Sequence, residues 1–241
     1  MKTLLRRIYR GGLDMILPER WVVRRFMRRH LPATGARLVI EVGAASSPYA
    51  RTLAECLPGL WHIRSDLLPN EAVIVADLQA LPFRTGCADL LLASQVLQYP
   101  LDLDQALAEI HRVLRPGGQV LVICPFLTIT AGVSDRRRWT MKGLAESFEA
   151  AGFTPLAVQP VGGVFTGLAE LAAQILGAIG TRPDIWRSSG DLRSLLRLGL
   201  ATLLGLPFHL LGLVGLLLDR WLGPSGMYVA MVMLAQRQEK A

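Results

Sequence analysis

Residues 37–47 read RLVIEVGAASS, and this stretch decides the fold. Arg37–Val42 carries four apolar residues in six and reads as a buried strand. Gly43 follows at once and supplies a tight turn with close backbone approach. Ser47 then reads as an N-cap, with Pro48 in the first helical position, opening a helix to about Leu57. A strand, a sharp turn and a helix form the first unit of an α/β chain.

The pattern continues outward. Trp61–Asp66 (WHIRSD), Ala72–Asp77 (AVIVAD) and Ala88–Ser94 (ADLLLAS) read as strands two to four, the first two ending in an acid. Asp102 caps a helix, with Gln105 as its capping-box partner, and Leu103, Ala106, Leu107, Ile110, Val113 and Leu114 keep helical period. Arg115-Pro116-Gly117-Gly118 stops that helix, and Gln119–Phe126 is strand five. Thr140 opens a helix that ends at Gly152; Phe153–Gln159 is strand six, and residues 226–235 (GMYVAMVMLA) are a final buried strand. Alternation of this kind predicts an α/β, Rossmann-like, doubly wound, mostly parallel seven-stranded sheet with helices on both faces. Ligands of such sheets sit outside the carboxyl ends of the strands, where the strand order reverses.

Asp66 and Asp77 end successive strands on that rim. A carboxylate after strand two is placed to accept from both hydroxyls of a ribose, and one after strand three to take a purine amino group. Either aspartate alone also has a reading as a turn or capping residue; with the Gly43 loop they outline a nucleoside-shaped site.

The ordered set LVIEVGAASSPY, HIRSD, VADLQALPF, ADLLLASQVLQY and EIHRVLRPGGQVLVICPF resembles the class I S-adenosylmethionine-dependent methyltransferases, most closely the methyltransferase type 11 group. The resemblance covers about residues 37–160 and resumes at 226–235. It implies that Glu41, Gly43 and Ala45 line the methionine end of S-adenosyl-L-methionine. It further implies that Asp66 holds the ribose, that Asp77 and Leu78 hold the adenine, and that Gln95 approaches the sulfonium. Ser134–Thr140 (SDRRRWT) resembles the family's D-x-x-R-W-T element on the acceptor side. The family loop usually reads G-x-G, and Ala45 stands at its third position. If that position needs positive φ, alanine costs on the order of 1 kcal/mol, up to about tenfold in affinity. No catalytic residue is assigned: His111 and His62 read as packing residues, and Tyr99 has only its place on the rim. No metal ligand set is expected.

The 241 residues are 51% hydrophobic, with a mean hydropathy of +0.37. That excludes a disordered chain. Three cysteines without metal spacing exclude a disulfide scaffold and fit a reducing compartment. Arg6, Arg7 and Arg10 interrupt any opening apolar run, which speaks against a secretory signal.

The +7 net charge sits in residues 1–30, where nine basic side chains meet two acids and alternate with Leu, Ile, Trp and Phe. Such a segment suits an anionic membrane surface, although a solvated cap helix or a phosphate-binding arm has the same composition. Leu198–Leu218 holds 21 residues without a formal charge, long enough for a bilayer span. A single crossing would put the final strand on the wrong side. The expectation is therefore a helical hairpin bent at Pro207, dipping into one leaflet, or else a pair packed on the domain or in a homodimer.

Three regions follow: a basic amphipathic helical segment 1–31, a methyltransferase domain 32–160 with 226–241, and a hydrophobic helical insert 161–225. The functional expectation is methyl transfer to a small, lipophilic or membrane-linked acceptor: a quinone precursor, a polyprenyl-linked sugar or a lipid headgroup. The setting would be cytoplasmic, peripheral or monotopic on the inner face of the membrane. Arg136, Arg137 and Arg138 are candidates for binding an acidic acceptor. The competing readings are a non-catalytic methyltransferase-like membrane or assembly module and an RNA methyltransferase, with nucleic acid the disfavoured partner. A nicotinamide enzyme ranks last, because GAASS lacks the pyrophosphate glycine pattern.

Overall fold

The structure is a computed structural model that describes residues 17–44, 47–68, 74–128, 134–180, 192–223 and 226–239, with backbone only for 176–180 and 192–203. The basic residues before 17 and the expectation on Ala45 lie outside the described residues. Two compact units form, one from Val23–Phe126, Arg136–Pro160 and Met231–Ala241, the other from the chain before Val23, Leu127–Asp135 and Val161–Ala230.

Helix α1 (Pro18–His30) and a 3₁₀ turn (Leu31–Thr34) precede the first strand. The sheet is built from β1 (Leu38–Val42), β2 (Trp61–Asp66), β3 (Ile74–Val75), β4 (Ala88–Ser94), β5 (Leu114–Pro125), β6 (Phe153–Val161) and β7 (Ala230–Arg237). Helices α2 (Ala50–Cys56), α3 (Leu103–Val113) and α4 (Met141–Ala150) connect strands. The order is β3-β2-β1-β4-β5-β7-β6. Strands β1 to β5 run parallel. β7 runs against its neighbours: the Gln238 amide donates to Gly152 O before β6, while the Val229 amide donates to Val161 O at β6's far end. The order reverses between β1 and β4, which places the ligand crevice past Val42 and Ser94.

Central strands are apolar on both faces because both are covered. Leu90–Ala93 of β4 and Val120–Cys124 of β5 are fully buried. Asp102 caps α3 by accepting from the Gln105 amide at 3.0 Å, but the capping box does not close. The Asp102 amide donates to Gln79 Oε1 at 2.8 Å, and the Gln105 side chain donates to Gln79 O at 3.2 Å. Gln79, just past Asp77, thus takes over the box and ties that loop to the helix. Thr140 caps α4 as expected, accepting from the Gly143 amide at 3.0 Å.

Ser47 does not cap a helix. It sits at φ +46°, α2 begins only at Ala50, and the Ser47 hydroxyl donates to the Glu41 carboxylate. A buried carboxylate without donors costs several kcal/mol, more than a lost cap. The third strand ends at Val75 rather than at the expected Asp77, which lies beyond it in a bridge with Ala80; residues 72 and 73 lie outside the described residues.

The second unit holds α5 (Val164–Gly180) and α6 (Leu192–Leu222). The expected bend at Pro207 is absent as a helix break, since α6 continues through it. Before Pro207, a β-carbon at Gly205 would lie 3.6 Å from Ala173 O of α5; the other contacts follow the proline. A β-carbon at Gly215 would meet Thr166 N at 2.8 Å, so the backbones cross there at closest approach. Glu170 and His209 pair at 3.1 Å, both largely buried. Asp219 accepts from the amides of Gly163, Phe165 and Thr166 and from the Thr166 hydroxyl, closing the first turn of α5.

Candidate cofactor site

At the reversal point, Gly43 has φ +63°, and a β-carbon there would lie 2.6 Å from Val96 Cγ2. The Ala44 amide donates to Ser65 O at 2.9 Å, joining the loop after β1 to the end of β2. Among the described residues only Ser47 and Gln95 combine a side chain with positive φ. They follow β1 and β4, the two strands that flank the reversal. Backbone strain concentrates where a ligand is expected.

Glu41 lies in β1 and is 1% exposed. Its Oε2 accepts the Ser47 hydroxyl and faces His62 Nε2 at 2.9 Å, while Oε1 is buried and has no hydrogen-bond partner among the described residues. The main-chain oxygen of Glu41 accepts from Ser65 Oγ at 3.1 Å. His62 is therefore more than packing: its Nε2 is the cross-strand hydrogen-bond partner of this carboxylate. Neither His62 nor Ser47 was legible as such, because nothing in WHIRSD or GAASS gives the register that brings them to Glu41.

Asp66 and Asp77 lie on one rim. β2 and β3 are parallel, with Asp66 opposite Val75, and the Ala76 amide donates to Asp66 O at 2.9 Å. The Asp66 carboxylate accepts from the Leu68 amide at 3.0 Å and that of Asp77 from the Gln79 amide at 2.9 Å, each ordering its own loop. Asp77 is exposed and Leu78 is buried beside it. Past β4, the Gln95 amide donates to Ile123 O at 2.8 Å, and Gln95 O accepts from the Gln98 side chain at 2.9 Å.

The arginine cluster divides its work. Arg137 donates to the carbonyls of Pro100 and Leu101, so its guanidinium holds the β4–α3 connection. The Arg136 amide donates to Gln98 O, and its side chain is exposed. His111 packs edge-on to Phe153. Burial pushes the Cys124 thiol far above its ordinary range, with Arg138 opposing only in part, so Cys124 is no nucleophile. No metal-ligating cluster occurs among the described residues.

The residues present fit an adenosyl amino acid. One buried carboxylate oxygen lacks a donor, one glycine leaves no room for a side chain, and two carboxylates stand on the adjacent rim.

The comparisons agree. Residues 42–122 match the family described as Methyltransferase domain. Over 114 residues the chain is 32% identical to the demethylmenaquinone methyltransferase of Streptomyces avermitilis, covering 44% of this chain and 49% of that one. Over 81 residues it is 32% identical to the malonyl-[acyl-carrier protein] O-methyltransferase of Serratia marcescens, covering 34% of this chain and 30% of that one. The chain thus spans at most about half the length of either. A solved structure titled as a sarcosine dimethylglycine methyltransferase from Galdieria sulphuraria shares the fold. Its TM-score is 0.58 at 13% identity, over 92% of this chain and 88% of that one. Residues 42–122 are thus similar to a methyltransferase domain, and the chain shares the fold of a solved methyltransferase structure.

Proposed function

We propose that this protein transfers the methyl group of S-adenosyl-L-methionine to a lipophilic or membrane-linked acceptor. The observation that carries the cofactor half is the orphaned, buried Glu41 Oε1 beside the Gly43 turn. In this reading Glu41 and the Gly43–Ala45 loop take the amino-acid end, Asp66 the ribose, Asp77 with Leu78 the adenine, and Gln95 the approach to the sulfonium. The bound cofactor supplies an electrophilic methyl on sulfur for in-line displacement. The chain supplies alignment and a site from which water is excluded. No side chain is assigned as a base.

The acceptor half is supported by the second unit. Along α6, Leu204, Leu210, Leu211, Val214, Leu217, Leu218, Trp221 and Leu222 are all exposed. The segment Leu204–Leu222 is long and apolar enough to cross a membrane by length and composition. A continuous apolar face of this size marks a lipid or partner surface. Both ends of the α5–α6 pair are joined by the Asp219 contacts and by the Val229–Val161 hydrogen bond. That favours a hairpin entering and leaving on one side, monotopic on the cytoplasmic face, over a single crossing. The relation to a demethylmenaquinone methyltransferase makes a quinone precursor the first acceptor to try.

The test is incubation with methyl-labelled S-adenosylmethionine and a membrane lipid extract. Label is expected in the organic phase, dependent on Asp66. Label that stays aqueous, despite cofactor binding, overturns the lipophilic acceptor.

A further inference from the structure

We propose that His62 is a positioning residue for the amino-acid end of the cofactor, acting through Glu41; the inference rests on the cofactor reading above. Glu41 is fully enclosed, and its two oxygens are treated unequally. Oε2 is met by Ser47 Oγ and His62 Nε2. Among the described residues Oε1 is reached by none. A carboxylate offers only acceptor sites, so in this inference Nε2 is the donor of the pair. Two donors on one oxygen fix the rotation of the carboxylate group, and the other oxygen is left with a full unmet demand for a donor.

A buried acceptor in that state is a site for a charged donor. The α-ammonium of an S-adenosyl amino acid is a donor of the right charge, and Glu41 lies two residues before the Gly43 turn. His62 belongs to a different strand. In the parallel register it is opposite Val39, two residues from Glu41 on the same face of the sheet. Its imidazole therefore braces the carboxylate from the side, and Ser47 braces it from the loop. Ser47 holds positive φ while doing so, which ties the loop conformation to the same carboxylate.

The consequence is selective. Loss of the brace weakens ligands that carry the amino-acid moiety and spares those that lack it. Two probes separate these: S-adenosylhomocysteine, with the amino acid, and 5′-methylthioadenosine, without it. By titration calorimetry, His62→Phe is expected to weaken S-adenosylhomocysteine about tenfold and leave 5′-methylthioadenosine within twofold. His62→Gln, whose amide can still donate, is expected to restore most of the loss. Where His62→Phe does not fold, His62→Asn carries the test, since its amide is too short to reach Glu41. An equal loss for both probes, or no loss for either, overturns the inference while leaving the cofactor reading intact. Wild-type protein that binds neither probe overturns the cofactor reading and this inference with it.

Discussion

Val96 Cγ2 stands 2.6 Å from where a β-carbon on Gly43 would be. The first residue after β1 and the second after β4 thus close against each other at the reversal of strand order. Gly43→Ala meets two penalties, the clash and a φ of +63°. Left-handed backbone costs alanine about 1 kcal/mol, and the clash adds to it. Unfolding midpoints are expected to fall by roughly 1–3 kcal/mol equivalent, and S-adenosylhomocysteine binding to weaken. Val96 Cβ also lies 2.8 Å from the added carbon, so the double variant Gly43→Ala/Val96→Gly relieves the clash alone, and it should recover part of the stability and none of the φ penalty. Full recovery would show that φ contributes nothing.

The Asp219 carboxylate satisfies three amides and one hydroxyl at the start of α5, and Thr166 there is completely buried. Asp219→Ala strips these donors at once, at a cost of about 2 kcal/mol or more. Hydrogen exchange of the amides at 163–166 is the direct measurement. Their protection should fall in Asp219→Ala and fall less in Asp219→Asn. Exchange that does not change would mean that water replaces the carboxylate without loss.

These two contacts show where the sequence was legible and where it was not. Strand identity and order of appearance follow from short apolar runs, and AAGF punctuates correctly because helix stops are local; Arg115–Gly118, expected as a stop before a strand at Gln119, instead lies inside β5, which starts at Leu114 directly after α3 ends at Val113. Asp66 and Asp77 share a rim because parallel strands must end on the same side. Long-range pairing was not legible. Ser47 looked like a cap because caps are read from neighbours, yet its hydroxyl serves a carboxylate six residues back on β1. Pro207 looked like a hinge because proline removes one backbone donor. In the structure α6 continues through it, with Gly205 against Ala173 before the proline and His209 paired with Glu170 after it. Arg137 looked available until two carbonyls claimed it.

Acid should expose a different weakness. The Glu109 carboxyl is held below its ordinary range, first by the hydrogen bond from the Arg112 guanidinium and then by the Leu81 amide, against the opposing effect of burial. A carboxyl depressed in the folded state contributes stability that is present above the unfolded carboxylate range. That stability is lost as pH falls through the lower, folded value. Glu109→Gln should therefore be less stable than wild type at neutral pH, and the gap should narrow below about pH 4. Chemical denaturation at pH 7 and pH 3.5 reads both limbs. A gap that persists at the lower pH would assign the loss to packing.

The apolar face of α6 separates membrane attachment from folding. Leu217 is 70% and Trp221 is 84% exposed, so neither side chain contributes much burial to the unit itself. A large apolar side chain gains about 1.5–3 kcal/mol on full burial, and partial insertion at an interface gains some of it. Leu217→Glu and Trp221→Glu should each weaken flotation with vesicles of phosphatidylglycerol and phosphatidylethanolamine by about tenfold, with the melting temperature within a degree or two of wild type. Leu204 and Val214 lie on the same exposed stretch, and substituting them should add to the loss if one continuous face meets the bilayer. Reduced flotation at high salt but not in these variants would assign attachment to the basic residues before Arg29 instead. Unchanged flotation in both, with monomers replacing a larger species on dilution, would mean that a second copy of the chain covers this face.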